Sequence, residues 1–276
     1  MFFIKIFIIT YNNDKILNRC LKSLFNSDFI KHKNTQVNII NNYSKININD
    51  EFKNKINIIN NECRGDYFEP NLAQNFNQAI IHGFKSLINP DTEFVVHTHN
   101  DIVFYKKWVE NLLECSKKYN FIVGSIGDQF VAYKVNAIKK IGLWDENFIG
   151  LCHKEADYYL RAYLLNKKKS YINDTFHNRT FNNEIKYIFD MKMRDKTNNI
   201  IKNSYKISNK YSNKYFMYKW TNTSSINTEY DGWLINWNKY NLLKKLKKLP
   251  FKIKLFVKYY FFEKDIETLK QQNYYL

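Results

Sequence analysis

The amino-acid sequence predicts an α/β protein: a mostly parallel sheet flanked by helices, with a mostly helical or irregular C-terminal extension. Three observations carry this. Short apolar runs alternate with segments whose apolar residues recur at helical spacing, and such alternation implies parallel strands joined through helices. The runs end in polar clusters at Thr10, Asn41, Glu62 and Asp101, which a parallel sheet would bring to one edge. The 276 residues are 45% hydrophobic and 17% aromatic, enough for a sizeable core and too much for wholesale disorder.

Each element has its own signal. Residues 3–9 are a strand, and Thr10-Tyr-Asn-Asn-Asp14 is a turn. Leu17, Cys20, Leu21, Leu24 and Phe25 then share a helical face, with Asp14 placed to cap it. Residues 36–40 and 55–59 are two further strands, the second running into a polar loop over 60–70. Ala73, Phe76, Ala79, Ile80, Phe84 and Leu87 lie on one face of a helix stopped by Asn89-Pro90. A strand from Glu93 leads to a helix around Trp108, Leu112 and Leu113. Residues 121–125 and 129–133 are short strands, and 135–141 a short helix closed by Gly142. A helix over 154–166 puts Ala156, Tyr159, Leu160, Tyr163 and Leu164 on one face. Residues 170–176 are a last strand that ends at His177. The pattern places one domain over 1–184 and an extension over 185–276, where periodicity weakens.

The formal net charge of +17 points to an anionic partner. Lys, Asn and Ile are abundant throughout, so part of that charge is compositional. Nucleic acid is set aside: the lysines are spread widely, Arg is scarce and no recognised nucleic-acid module is present. Residues 242–262 are different, because Leu242, Leu246, Leu249, Ile253, Phe256, Val257, Tyr260 and Phe261 interleave with seven lysines that begin at Lys244. A basic amphipathic stretch of this kind is predicted to lie on an anionic membrane surface. Packing on its own domain with a solvated lysine face is the competing reading. Cys20, Cys63, Cys115 and Cys152 are scattered without metal-type spacing and read as reduced thiols. The start of the chain reads as a buried strand rather than a leader, since Lys5 interrupts its apolar run and no small-residue cleavage site follows. No apolar stretch is long enough to span a bilayer. The expected location is cytoplasmic, with peripheral attachment at the inner face of the membrane.

The chemistry concentrates at Glu93-Phe-Val-Val-His-Thr-His-Asn-Asp101. An apolar strand here drives into a polar end, and ligands in open α/β sheets sit outside such carboxyl ends. A carboxylate beside an imidazole at that edge suits a divalent metal and a phosphorylated ligand. A plain surface turn is the competing reading.

Several short motifs then fall into a known order. Ile8-Ile-Thr-Tyr-Asn12, Leu17-Asn-Arg-Cys-Leu-Lys-Ser-Leu24, Val37-Asn-Ile-Ile-Asn-Asn-Tyr-Ser44, Phe76-Asn-Gln-Ala-Ile80, His99-Asn-Asp101, Gly142-Leu-Trp-Asp-Glu-Asn-Phe148 and Glu155-Ala-Asp-Tyr-Tyr-Leu-Arg161 run in sequence, with His177 after them. Together they resemble the family-two glycosyltransferases of the GT-A, nucleotide-sugar-binding fold. The resemblance covers residues 3–177. It departs at Asn41, where the family has the Asp that holds the base, at His99, where it has the first Asp of D-x-D, and at Ala79, where it has Gly.

The resemblance implies an enzyme moving a sugar from a nucleotide-sugar donor, such as a UDP-sugar, to a hydroxyl of a cell-surface glycan or lipid-linked acceptor in polysaccharide biosynthesis. It implies inversion and a divalent metal, Mn²⁺ or Mg²⁺. Asp101, His177 and His99 are the candidate metal ligands. Thr10, Tyr11, Asn12, Asn41, Asn42, Arg64, Asn77 and Asn100 are candidates for the nucleotide. Glu155 is the candidate general base, with Asp157 as a supporting acid, since side chains two apart on a helix diverge by about 200°. Trp144 would be an aromatic platform, and Asp145 and Glu146 hydroxyl acceptors, for the acceptor sugar. A core Trp is the competing reading of Trp144. A non-catalytic descendant that binds a nucleotide or a membrane is the competing reading of the chain, favoured by Asn41 and His99.

Overall fold

The computed structural model describes residues 2–42, 44–61, 72–124, 128–148, 153–169, 177–178, 185–187, 212 and 215–216. The first apolar run becomes β1 (Phe2–Thr10). It is followed by α1 (Asp14–Phe25), β2 (Thr35–Asn42), α2 (Asp50–Lys53), β3 (Ile56–Asn61), α3 (Leu72–Phe84) and β4 (Thr92–His99). After these come β5 (Ile102–Phe104), α4 (Trp108–Ser116), β6 (Phe121–Val123), β7 (Phe130–Tyr133), α5 (Val135–Ile141), α6 (Lys154–Lys169), β8 (His177–Asn178) and β9 (Ile185–Tyr187). Seven strands form one sheet in the order β3-β2-β1-β4-β7-β6-β8, and β5 pairs with β9 separately. β1, β2, β3 and β4 run parallel, and β6 and β8 are parallel to each other. β7 is antiparallel to both β4 and β6. The mostly parallel sheet with helices on both faces is the predicted architecture.

β1 shows why both faces are covered. Ile4, Ile6 and Ile8 enter one core with Leu17, Cys20, Leu21 and Leu24 of α1 and Trp108, Val109 and Leu112 of α4. Phe7 and Ile9 enter the other, with Phe76 and Phe84 of α3, Ile138 of α5 and Tyr158 of α6. Side chains alternate between faces along a strand, so a strand apolar at every position is buried twice. Lys5 is the exception. It is buried, its Nζ donates to the Gly83 carbonyl oxygen at 3.1 Å, and it pairs with Asp91. That hydrogen bond holds the Asp91 carboxyl below its ordinary range.

α3 lies close against the sheet at Gly83. A Cβ there would collide with both γ-methyls of Val95 and crowd the Phe7 ring. The collision is with the body of a β-branched strand residue, which is stiff at χ1. Gly83→Ala is therefore expected to destabilise the fold by about 1–3 kcal/mol, measured by urea unfolding.

Element boundaries differ from expectation in three places. Asn13, not Asp14, caps α1: its side chain accepts from the Ile16 N–H at 3.3 Å, and Asp14 sits in the first turn. α3 ends at Phe84 rather than near Asn89, because Lys85 adopts a left-handed φ of 57°. The Phe84 carbonyl oxygen then accepts from Ser86 and Asp91 instead of continuing the helix, while Leu87 remains buried beyond its end. Residues 102–104, between the strand from Glu93 and the helix around Trp108, form a strand of the second sheet. β9 begins at the predicted domain boundary and pairs with β5, and Phe216 packs on Phe148 and His153, so these parts of the extension are built onto the first domain. Cys20 and Cys115 are buried free thiols. Arg64, Cys63, Cys152, the predicted strand over 170–176 and the basic stretch over 242–262 lie outside the described residues.

Candidate active site

The carboxyl ends of the central strands meet as predicted. Thr10 is in register with Asn41, Asn41 with Asn60, and Ile9 with His99. Asn100 closes the gap between β4 and β1: its N–H donates to the Ile9 carbonyl at 3.2 Å and its Nδ2 to Thr10 Oγ1 at 2.8 Å. The Tyr11-Asn12 turn sits over this edge, with Asn12 at a left-handed φ of 48° and its N–H donating to Ser44 Oγ. Asparagine tolerates that conformation better than most residues.

Asn41 is occupied by its own chain. Its Nδ2 donates to the Ser44 carbonyl and Asn60 Oδ1, and its Oδ1 accepts from Ser44 Oγ. Asn61 Nδ2 donates to Asn42 Oδ1 at 2.8 Å, and Asn57 Nδ2 to Asn38 Oδ1 at 3.3 Å. Three cross-strand amide pairs thus lace β2 to β3, which the sequence reading did not anticipate. Asn42 is 5% exposed, and its Nδ2 makes no hydrogen bond among the described residues. Of Asn41 and Asn42, only Asn42 keeps a side-chain donor without a partner among the described residues.

A buried charged cluster lies beside β4. Asp128, at the turn before β7, has Oδ2 2.9 Å from Lys154 Nζ and Oδ1 3.8 Å from His99 Nε2. Lys154 Nζ is also 3.6 Å from Glu155 Oε2. Asp128, Lys154 and Glu155 are each at most 5% exposed. Burial raises the Glu155 carboxyl to about 7; Lys154 opposes this and Asp128 adds to it. Burial pushes the Asp128 carboxyl upward, but the Lys154 ammonium beside it outweighs this and holds the group below its ordinary value. Behind the cluster, His97 stacks on Phe76 with ring centroids 3.8 Å apart. Burial depresses its imidazole to about 3, so it is neutral.

Sequence reasoning missed Asp128 and Lys154. Asp128 lies in the turn Gly127-Asp-Gln129 between two predicted strands. Its place follows only from the antiparallel entry of β7, which brings Phe130 opposite Thr98.

The remaining candidates divide. Asp157 is fully buried, and Arg161 Nε donates to its Oδ2 at 3.0 Å, so its charge is held within the fold. Trp144 is corrected from a platform to a core residue. It is 1% exposed, stacks on Tyr158 at 4.2 Å and donates its indole N–H to Tyr133 Oη, which leaves no face for a sugar. Asn77 is likewise corrected: its amide donates to the Trp144 carbonyl and Glu146 Oε1 and accepts from the Trp144 N–H, bracing that loop instead of meeting a nucleotide. Asp145 accepts from the Asn147 N–H and from Tyr215 Oη. Glu146 is partly exposed beside it.

The metal candidates are His99, Asp101 and His177. His99 stacks near Phe76 in the α3-side core at 5.9 Å, and its Nε2 makes no hydrogen bond among the described residues. Asp101 acts electrostatically on Cys20, a residue of the α1-side core. His177 begins β8, in register with Ile122. Among the described residues no three His, Cys, Asp or Glu side chains gather to hold an ion, and no helix is long and apolar enough to cross a membrane.

The family model described as glycosyl transferase family 2 matches residues 5–185. None of the curated proteins matches the chain in sequence. Among solved structures, TarS of S. aureus, residues 1–349, is similar at 14% identity and a TM-score of 0.41, with 59% of this chain and 55% of that one covered. A mannosyltransferase of Pyrobaculum calidifontis, solved with GDP-Man and Mn²⁺, is similar at 12% identity and a TM-score of 0.44, over 64% of this chain and 55% of that one. Drosophila β1,4-galactosyltransferase 7, solved with xylobiose, is similar at 10% identity and a TM-score of 0.45, over 70% and 74%. The chain thus spans about half the length of the first two.

Proposed function

Given that the chain belongs to glycosyl transferase family 2, we propose that it moves a sugar from a nucleotide-sugar donor to a hydroxyl of a cell-surface glycan or lipid-linked acceptor, with inversion. The observation that carries this reading is Glu155. It is a buried carboxylate at the first turn of α6, poised near neutrality and linked through Lys154 and Asp128 to His99 at the end of β4. A general base works best when its pKa lies near the operating pH.

In this reading the donor nucleotide lies across the edge formed by Thr10, Tyr11, Asn12 and Asn100, with Asn42 Nδ2 available to a base or ribose oxygen. Glu155 takes the proton of the acceptor hydroxyl. The acceptor oxygen bonds to the anomeric carbon as the bond from that carbon to the diphosphate breaks, and the nucleoside diphosphate leaves with the electron pair. Asp145 and Glu146 flank the acceptor side. Asp101 and His99 would supply one carboxylate and one imidazole for Mn²⁺ or Mg²⁺, a donor pair that mixes hard and softer ligands. When bound, such an ion neutralises charge on the departing diphosphate. The basic stretch over 242–262 is the part that would meet an anionic membrane.

The test is thermal stabilisation against a panel of nucleotide sugars with Mn²⁺, followed by transfer assays with the donor that binds. A ligand that binds the folded state alone raises its apparent stability. Binding by no nucleoside diphosphate would overturn the reading and favour a non-catalytic descendant. Asp101→Ala is expected to lower Mn²⁺-supported turnover by about 100-fold or more, the rate equivalent of several kcal/mol of lost charge stabilisation. Unchanged turnover would remove Asp101 from the metal set.

A further inference from the structure

The residue before the proposed base is a buried lysine. Lys154 is 2% exposed, its ammonium lies 2.9 Å from Asp128 Oδ2 and 3.6 Å from Glu155 Oε2, and both carboxylates are themselves buried. Buried charges are tolerated when they are paired. Here one cation faces two anions, and it sits closer to Asp128. Glu155 therefore receives the weaker share of the compensation.

Asp128 is in turn fixed from behind. The Trp144 indole N–H donates to Tyr133 Oη at 2.8 Å, and an indole nitrogen cannot accept. The Tyr133 hydroxyl must turn its own proton to His97 Nδ1, 3.0 Å away. That leaves His97 Nε2–H to donate to the Asp128 carbonyl oxygen at 3.3 Å. A buried relay of one polarity thus sets the turn that carries the Asp128 carboxylate, and the carboxylate sets the ammonium.

We propose that Lys154 is the positioning residue of the base: its ammonium, anchored on Asp128, holds the Glu155 carboxylate in place. This rests on the reading of Glu155 as base. Among the described residues, the charged and titratable groups acting on Glu155 are Lys154 on its own helix and Asp128 from the β7 turn, with Tyr159 on the next turn of α6. His97 and His99 of β4 act on Asp128.

The two neighbours pull in opposite directions, and that makes the idea testable. Lys154→Met removes the cation and should move the acid limb of the kcat/KM profile up by about one pH unit or more. Asp128→Asn removes the second anion and frees the ammonium for Glu155, so the limb should move down. Lys154→Arg keeps the charge and should leave the limb in place. A defect of folding alone would move none of these midpoints in opposite senses. The same titration is read without substrate on the full chain, as the infrared carboxylate band that Glu155→Gln abolishes. An infrared midpoint that stays put in both Lys154→Met and Asp128→Asn, or moves the same way in both, overturns the proposal whatever the activity. Transfer retained by Glu155→Gln would instead overturn the base assignment. If Lys154→Met fails to fold, Asp128→Asn against wild type still decides, because a downward shift is required.

Discussion

Glu155→Gln is expected to lower transfer by about 10²–10⁴-fold, the usual contribution of a positioned general base, while nucleotide-sugar affinity stays at the wild-type level. The amide is nearly isosteric with the acid and keeps a hydrogen-bonding head but cannot take a proton, so the loss should appear in kcat more than in KM. The pH dependence gives a second handle. With its carboxyl raised to about 7 by burial, partly offset by Lys154, Glu155 is protonated and idle below that pH and ionised above it. Turnover by the wild type should therefore rise with pH through neutrality and level off in mild alkali. The Glu155→Gln variant should lose that limb along with its rate. A residual profile with the same limb would mean that another group titrates, and retained transfer would move the base elsewhere.

Asp157 is the other acid of the Glu155-Ala-Asp157 motif, and the sequence could not rank the two by charge alone. Both fall in the first turn of a helix, where the dipole favours a carboxylate. The angular offset separated their directions but not their destinations. Only the packing shows that Arg161, four residues on, takes up Asp157 while Glu155 meets Lys154 and Asp128. The Gly142-Leu-Trp-Asp-Glu146 segment misled for a similar reason. Trp beside two acids resembles a sugar platform, yet the apolar surface of an indole is also a strong claimant for core. Trp144 and Asp145 are both buried, and of the three only Glu146 stays partly exposed.

The sheet itself was legible because period and punctuation agreed. Apolar runs doubly buried in β1, β2 and β4 ended in Thr, Asn and His at matching register, and Gly142 marked the end of α5 with a positive φ of 88°. What depended on non-local pairing was not legible. The β5–β9 pair joins residues over eighty positions apart in chain order, and three-residue strands carry no periodicity to read. Asp128 belongs to the same class. Its role depends on β7 running against β4, and a sequence of alternating runs favours the parallel alternative.

Asp157→Ala is expected to destabilise the protein by about 3–5 kcal/mol, the cost of leaving one partner of a buried ion pair unmatched. The Arg161 guanidinium is as buried as the carboxylate, with side-chain exposures of 2% and 0%. It also donates to the Ile141 and Leu143 carbonyls at 2.9 and 2.8 Å and lies 4.7 Å from the centre of the Tyr158 ring. Those bonds join α6 to the end of α5 and to the segment carrying Asp145 and Glu146, so the damage should reach beyond the pair. By contrast, Lys53→Ala at the exposed Lys53–Asp50 pair should change urea unfolding too little to measure, since solvent screens such pairs. Pairing Asp157→Ala with Arg161→Leu should recover part of the loss, because no orphaned charge then remains, and a double-mutant cycle measures that recovery. The same variant separates structure from chemistry. Asp157→Ala protein that stays folded at low temperature should keep the wild-type pH midpoint for transfer, because the group that titrates is on the other side of the helix.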